Sequence, residues 1–208
     1  MVTESEGRIV SGTLSEERED SLLVARVREG DIDALGELYE RYKTKVYRTA
    51  TAITHDERMA EDILQEVFLR VNRYAGSFDQ AQPFEPWLYR ITVNLSYSWT
   101  NRARRWVNLF QDTIDRLRVP SRRDPERVAE HREQLELLER AIDRLPDSHR
   151  VVVILYYLEG LSVSKVAYAL GVPEGTVKSR LYYAREKLRK AIAEQQEGVT
   201  SEVVYDFT

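Results

Sequence analysis

In this 208-residue chain the side chains with the clearest chemical capacity gather between residues 174 and 190. Lys178, Arg180, Arg185, Lys187, Arg189 and Lys190 stand there against only two acids, Glu174 and Glu186. In helical register Val177, Leu181, Ala184 and Leu188 share one apolar face. Thr176, Lys178, Ser179, Arg180, Tyr182, Tyr183 and Arg185 therefore point the other way. Cations mixed with hydroxyl donors are the groups that grip phosphate oxygens and read base edges. Immediately upstream, Ser162 is placed to cap a helix whose Val163, Val166, Ala167 and Leu170 form a second apolar face. Gly171 supplies the left-handed residue of a helix–helix corner, and Pro173 forbids continuation of the first helix. The pattern predicts a helix-turn-helix whose second helix enters a DNA major groove.

A formal charge of −4 is unexpected for a nucleic-acid ligand, but the charge is unevenly distributed. A second basic island, Arg90, Arg102, Arg104 and Arg105, lies in an acid-free stretch from Pro86 to Gln111. The acids collect in the N-terminal segment (Glu16, Glu17, Glu19, Asp20) and in the middle of the chain. Two basic islands on an acidic protein imply two nucleic-acid contacts, with other surfaces meant for protein. There is no cysteine, which excludes disulfides and thiolate metal sites and suits a reducing cytoplasm, the expected location. No signal peptide and no apolar run near the ~20 residues of a membrane span are present, so no membrane insertion is expected. His55, His131 and His149 lack ligand spacing, and there is no glycine-rich phosphate loop or nucleophile motif. No catalytic residue, metal or cofactor is expected.

The elements that must position these islands are helical almost throughout, and the expected fold class is all-α: two small helical domains joined by a flexible linker. Residues 1–20 read as a disordered tail. Ala34, Leu35, Leu38, Tyr42, Val46, Ala50 and Ile53 keep helical spacing. A second helix is expected over about Glu57–Tyr74, burying Ala60, Ile63, Leu64, Val67, Phe68 and Val71. After a loop at residues 76–83, a third is expected over Trp87–Arg105, with Pro86 in its first turn and Trp87 in the core. Periodicity fades over 107–130, the expected linker, around Pro120 and Pro125. The second domain is expected over 131–192, with helices at Arg132–Leu145 and about Ser148–Leu158. The apolar run Val151–Leu158 is strand-like by propensity, but its setting favours a buried helix. Residues 193–208 read as a tail.

Ala60-Glu-Asp-Ile-Leu-Gln-Glu-Val-Phe-Leu-Arg-Val71 and Phe84-Glu-Pro-Trp-Leu-Tyr-Arg-Ile-Thr-Val-Asn-Leu95 resemble region 2 of bacterial extracytoplasmic-function (ECF) sigma factors. Ala141-Ile-Asp-Arg-Leu-Pro-Asp-Ser-His-Arg150 and Gly175-Thr-Val-Lys-Ser-Arg-Leu181 resemble region 4 of the same family. The resemblance implies a protein that binds core RNA polymerase, places it on promoters and helps melt them. It assigns residues 21–106 to region 2 and 131–192 to region 4. It further implies that Asp62, Gln65, Glu66 and Leu69 meet the clamp coiled coil of the polymerase β′ subunit, with the β flap a second contact. Phe78, Arg90, Asn94, Tyr97, Asn101 and Arg104 are the implied −10 contacts, and the loop to Pro83 sets base preference. On the −35 element, Lys178, Ser179, Tyr182 and Tyr183 are the implied readers, with Thr176 and Arg180 on phosphates. The chain departs from the family pattern at Ser98-Trp99, where an acid is usual after the asparagine. Lys165 replaces a usual acid, and this implies an added phosphate contact. Tyr183 stands where arginine is common, which implies loss of a guanine reader and a relaxed or redirected −35 preference.

The family also implies an anti-sigma factor as a partner. An ordinary helix-turn-helix repressor would explain the C-terminal half but not the region 2 signatures, and would need a dimer. A regulator that sequesters a protein without touching DNA is a third class, and an enzyme the weakest.

Overall fold

Ala34, Leu38, Tyr42, Val46, Ala50 and Ile53 recur every three or four residues and form the buried stripe of one long helix. The computed structural model describes residues 17–114, 138 and 140–202, with side chains for 17–103, 138 and 140–193. Helix α1 covers residues 17–28, and α2 runs from Ile32 to Thr54. Asp31 caps α2 by accepting from the amides of Asp33 and Ala34, and left-handed His55 (φ 57°) ends it. Helix α3, Glu57–Tyr74, starts on an Asp56 cap and ends in a 3-10 turn, Ala75–Ser77. Helix α4 spans Phe84–Ile114. Leu38, Val46, Ile63, Val67, Phe84, Leu88 and Leu95 interlock as the core of these helices, each contributing about 1.5–3 kcal/mol of burial.

Several boundaries differ from the sequence expectation. Residues 17–20 are helical, and Asp20 is buried. It accepts from the Tyr42 hydroxyl and, at 2.6 Å, from Arg41, partners more than twenty residues away that give a polar segment a reason to order. Helix α4 also runs past Arg105, so residues 107–114 are helix rather than linker. It starts at Phe84, with Pro86 in the first turn, where no backbone N–H is needed. The remainder of the expected linker, and the start of the helix expected at Arg132–Leu145, lie outside the described residues; residues 140–143 of that helix are helical.

The apolar run is helical. Helix α5, Asp147–Val153, passes into a π-helical turn, Ile154–Leu158, closed by the Glu159 amide donating to the Ile154 carbonyl at 3.1 Å. Gly160 (φ 72°) then turns the chain into α6, Val163–Leu170. Ser162 caps α6 through the Lys165 amide, and Gly171 (φ 64°) ends it, as the sequence indicates. Helix α7, Glu174–Glu202, continues through residues 193–202 of the expected C-terminal tail. Among the described residues there is no strand.

The two helical units are not separate. Ile53 from α2 and Tyr89 and Val93 from α4 share a core with Val151, Val152, Leu155, Leu161, Val166, Val177 and Leu181. Helix α4 packs along α6 and brings the two units into contact.

Candidate nucleic-acid interface

Three surfaces carry the residues singled out by sequence. On α7, Val177, Leu181 and Ala184 are buried against α5 and α6, and this orients the opposite face. Lys178 and Ser179 are exposed, and Thr176 and Arg180 half-buried. Tyr182 and Tyr183 are 55% and 58% exposed, their rings edge to face at 5.6 Å. Two large aromatic rings left in water on a cationic helix are costly unless a partner covers them. His149 lies beside this face. Burial first, then the charges of Lys187 and Arg180, holds its imidazole below the usual histidine range, as a field of positive potential requires.

On α3, Asp62 and Gln65 are exposed, Leu69 is 62% exposed, and Glu66 is half-buried in an ion pair with Arg70 at 2.9 Å. This is a polar strip around one uncovered leucine, suited to a helix–helix contact. On α4 the expected residues divide. Asn94 and Asn101 are exposed, whereas the Arg90 guanidinium lies over the Tyr168 ring of α6 at 5.1 Å. The Tyr97 hydroxyl donates to the Asp147 carbonyl at 2.8 Å. The Arg104 side chain lies outside the described residues.

Phe78 corrects the sequence expectation. Only 7% exposed, its ring packs 5.2 Å from Trp87 and 6.0 Å from Phe84, so it is a core anchor and not a surface for a base. The loop after it remains available: Asp79, Gln80 and Ala81 are exposed, and Asp79 organises them by accepting from the Ala81 amide. Lys165 is also spoken for. It pairs with Glu17 at 2.8 Å and Glu85 at 3.7 Å, where a phosphate contact was expected.

The comparisons with known proteins agree with this geometry. Residues 38–106 match the model of Sigma-70 region 2, and residues 135–188 that of Sigma-70, region 4. The ECF RNA polymerase sigma factor SigW of Bacillus subtilis is 32% identical over 176 residues, covering 81% of this chain and 94% of SigW. The chain belongs to the ECF RNA polymerase sigma factors. As a sigma factor it binds core RNA polymerase, directs it to promoters through −35 and −10 elements, and promotes DNA melting at initiation. The ECF sigma factor SigM of Mycobacterium tuberculosis is 32% identical over 88% of this chain and 89% of its own. The fold is shared with CnrH, solved with the cytosolic domain of CnrY (TM-score 0.63, 24% identity, 85% of this chain and 98% of CnrH). It is shared also with RpoE of Bartonella quintana, solved with the anti-sigma factor NepR (TM-score 0.60, 22% identity, 76% and 96%).

Sequence reasoning missed Glu159, whose side chain is fully buried although the chain around it is open. It accepts from Arg48, Thr49 and Tyr89 of region 2. Burial, then the Glu159 charge, drives the Tyr89 hydroxyl far above the ordinary tyrosine range, so it stays a donor. An acid following an apolar run carries no local sign of partners 70 to 111 residues away. Among the described residues no cluster is arranged to hold a metal, and no helix is long and apolar enough to cross a membrane.

Proposed function

We propose a division of labour among the three surfaces of this sigma factor. Helix α7 reads the −35 duplex through Lys178, Ser179, Tyr182 and Tyr183, while Thr176 and Arg180 hold phosphates. Helix α4 and the loop over residues 79–83 hold the opened −10 strand through Arg90, Asn94, Tyr97, Asn101 and Arg104. A base leaves its stack at a cost of a few kcal/mol, and aromatic and amide groups beside arginines offset that cost. Helix α3 docks on the β′ clamp coiled coil with Asp62, Gln65, Glu66 and Leu69, and region 4 meets the β flap. The observation that carries this reading is the two-sided character of α7: a buried Val177–Leu181–Ala184 stripe fixes a polar, aromatic and cationic face in solvent. The protein works inside the cell, with no catalytic centre of its own, and an anti-sigma factor is its partner, as the anti-sigma factor NepR is the partner of RpoE in their complex.

Transcription in vitro over a genomic fragment library, with bacterial core polymerase present and this protein added or omitted, tests the reading. Start sites that depend on the protein and share spaced −35 and −10 motifs are expected. Alanine at Lys178 and Tyr182 should then remove preference at the −35 motif alone. Loss spread evenly over both motifs would undo the assignment.

A further inference from the structure

Along α7, Arg180, Ala184 and Lys187 follow one another at helical spacing and form one edge of its buried stripe. Helix α5 packs against that edge: Val153 shares a small apolar cluster with Ala184, and Leu188 closes it. His149, one turn before Val153, therefore faces the gap between Arg180 and Lys187. The two cations stand seven residues apart, about 10.5 Å along the axis at ~1.5 Å per residue. Burial first, then the charges of Lys187 and Arg180, favours the neutral form of the half-buried imidazole. Its Nδ1 lies 3.3 Å from the exposed Ser148 hydroxyl. The neighbouring acids are engaged elsewhere. Asp147 of α5 accepts from Arg150 at 2.7 Å, and Asp143, before α5, pairs with His55 at 3.4 Å. On α7, Glu186 pairs with Arg189 at 2.5 Å and Glu174 with Lys178 at 3.8 Å. From α4 the Tyr97 hydroxyl reaches the start of α5, where it donates to the Asp147 carbonyl.

Three basic groups from two helices thus converge, and none of these carboxylates is among the charges acting on the imidazole. Like charges held together cost free energy that an anion between them offsets. The long Arg180 and Lys187 side chains can close on one phosphate, while His149 meets it from the α5 side. A phosphate oxygen there reverses the field at the imidazole. The ring then takes a proton from solvent and donates a charge-assisted N–H bond to the phosphate. We propose that His149, Arg180 and Lys187 form a seat for one backbone phosphate of the −35 duplex, and that filling this seat protonates His149. Promoter binding is then coupled to the uptake of a proton. The inference rests on α7 being the −35 reader, and it adds a contact from a second helix.

The test uses holoenzyme assembled from core polymerase and the full chain, on a duplex that carries the −35 motif and stops short of the −10 motif. Anisotropy titrations run from about pH 5 to about pH 8, the range in which imidazole changes charge. The affinity of the natural chain relative to His149→Gln should rise as pH falls, by up to about tenfold per pH unit, the limit for one proton. The same ratio should appear on duplexes with single changes in the −35 motif, because a phosphate carries no sequence. His149→Lys, a fixed cation, should bind without this pH dependence and steepen the salt dependence by about one relative to His149→Gln. His55→Gln should keep the natural pH dependence. A ratio that stays flat with pH, while Arg180→Ala and Lys178→Ala still weaken binding, overturns the seat and leaves α7 as the −35 reader. A ratio that follows pH on the intact motif alone makes His149 a base contact and overturns the phosphate seat. Binding indifferent to both alanines overturns the reading of α7 and the seat with it.

Discussion

The proposed division of α7 side chains between reading sequence and holding the backbone is one that competition binding and salt can tell apart. Replacing Lys178 or Tyr182 with alanine should cost about 1–3 kcal/mol of discrimination at one −35 position, seen in competition binding with singly mutated duplexes. Replacing Arg180 should weaken all sequences alike and lower the salt-dependence slope by about one. Asp20 poses a different question. Burial, outweighing the lowering effects of Tyr42 and Arg41, raises its carboxyl above the usual aspartate value. A group raised on folding contributes stability that is full below its unfolded pKa, near 3.8, and is lost as pH rises through its folded value. At pH 7 the charged form is thus held at a cost, and Asp20→Asn, which keeps an acceptor for Tyr42, should be nearly neutral. Asp20→Ala should lose about 1–3 kcal/mol in urea titration by stranding the buried hydroxyl.

At the scale of elements, the proposed docking strip on α3 is separable from the core, because the buried stripe is complete without Asp62, Gln65 and Leu69. Alanine at Gln65 or Leu69 should weaken binding to core polymerase in a pull-down or titration while leaving the melting temperature within a degree or two. A matching fall in melting temperature would count against the docking role. The Ser162 cap is the opposite case. Ser162→Ala should destabilise by about 0.5–2 kcal/mol, because the Lys165 amide loses its acceptor. The helix-turn-helix was legible in sequence because its determinants are local: a cap, a glycine with positive φ, and an apolar stripe. Trp87 was legible as core for the same reason. The ordering of residues 17–20 was not, since Asp20 is held by Arg41 and Tyr42 across the fold. Nor was the end of α4, where fading periodicity reads as a linker although the helix continues to Ile114.

For the whole molecule, the shared core predicts that the two regions unfold together. Ile53→Ala, in region 2, should cost about 2–5 kcal/mol and lower hydrogen-exchange protection in α6 as well as α2. Protection lost in α2 alone would mean that the regions unfold independently. The resemblance of four motifs carried the family and its two regions, but not this union, because Glu159 reads as an ordinary surface acid until Arg48 and Tyr89 are seen around it. The π-helical turn at Ile154–Leu158 gives that union a register. Its ring holds one residue more than an α-helical ring, and each residue turns the helix by about 100°. Excising one exposed residue of the turn, Tyr157, would let the segment relax to a regular helix and swing Glu159 away from Arg48. The contact between the regions would then be written in the length of one turn: a chain one residue shorter should keep its helices yet lose the Glu159–Arg48 pair, seen as faster hydrogen exchange along α2 beside it.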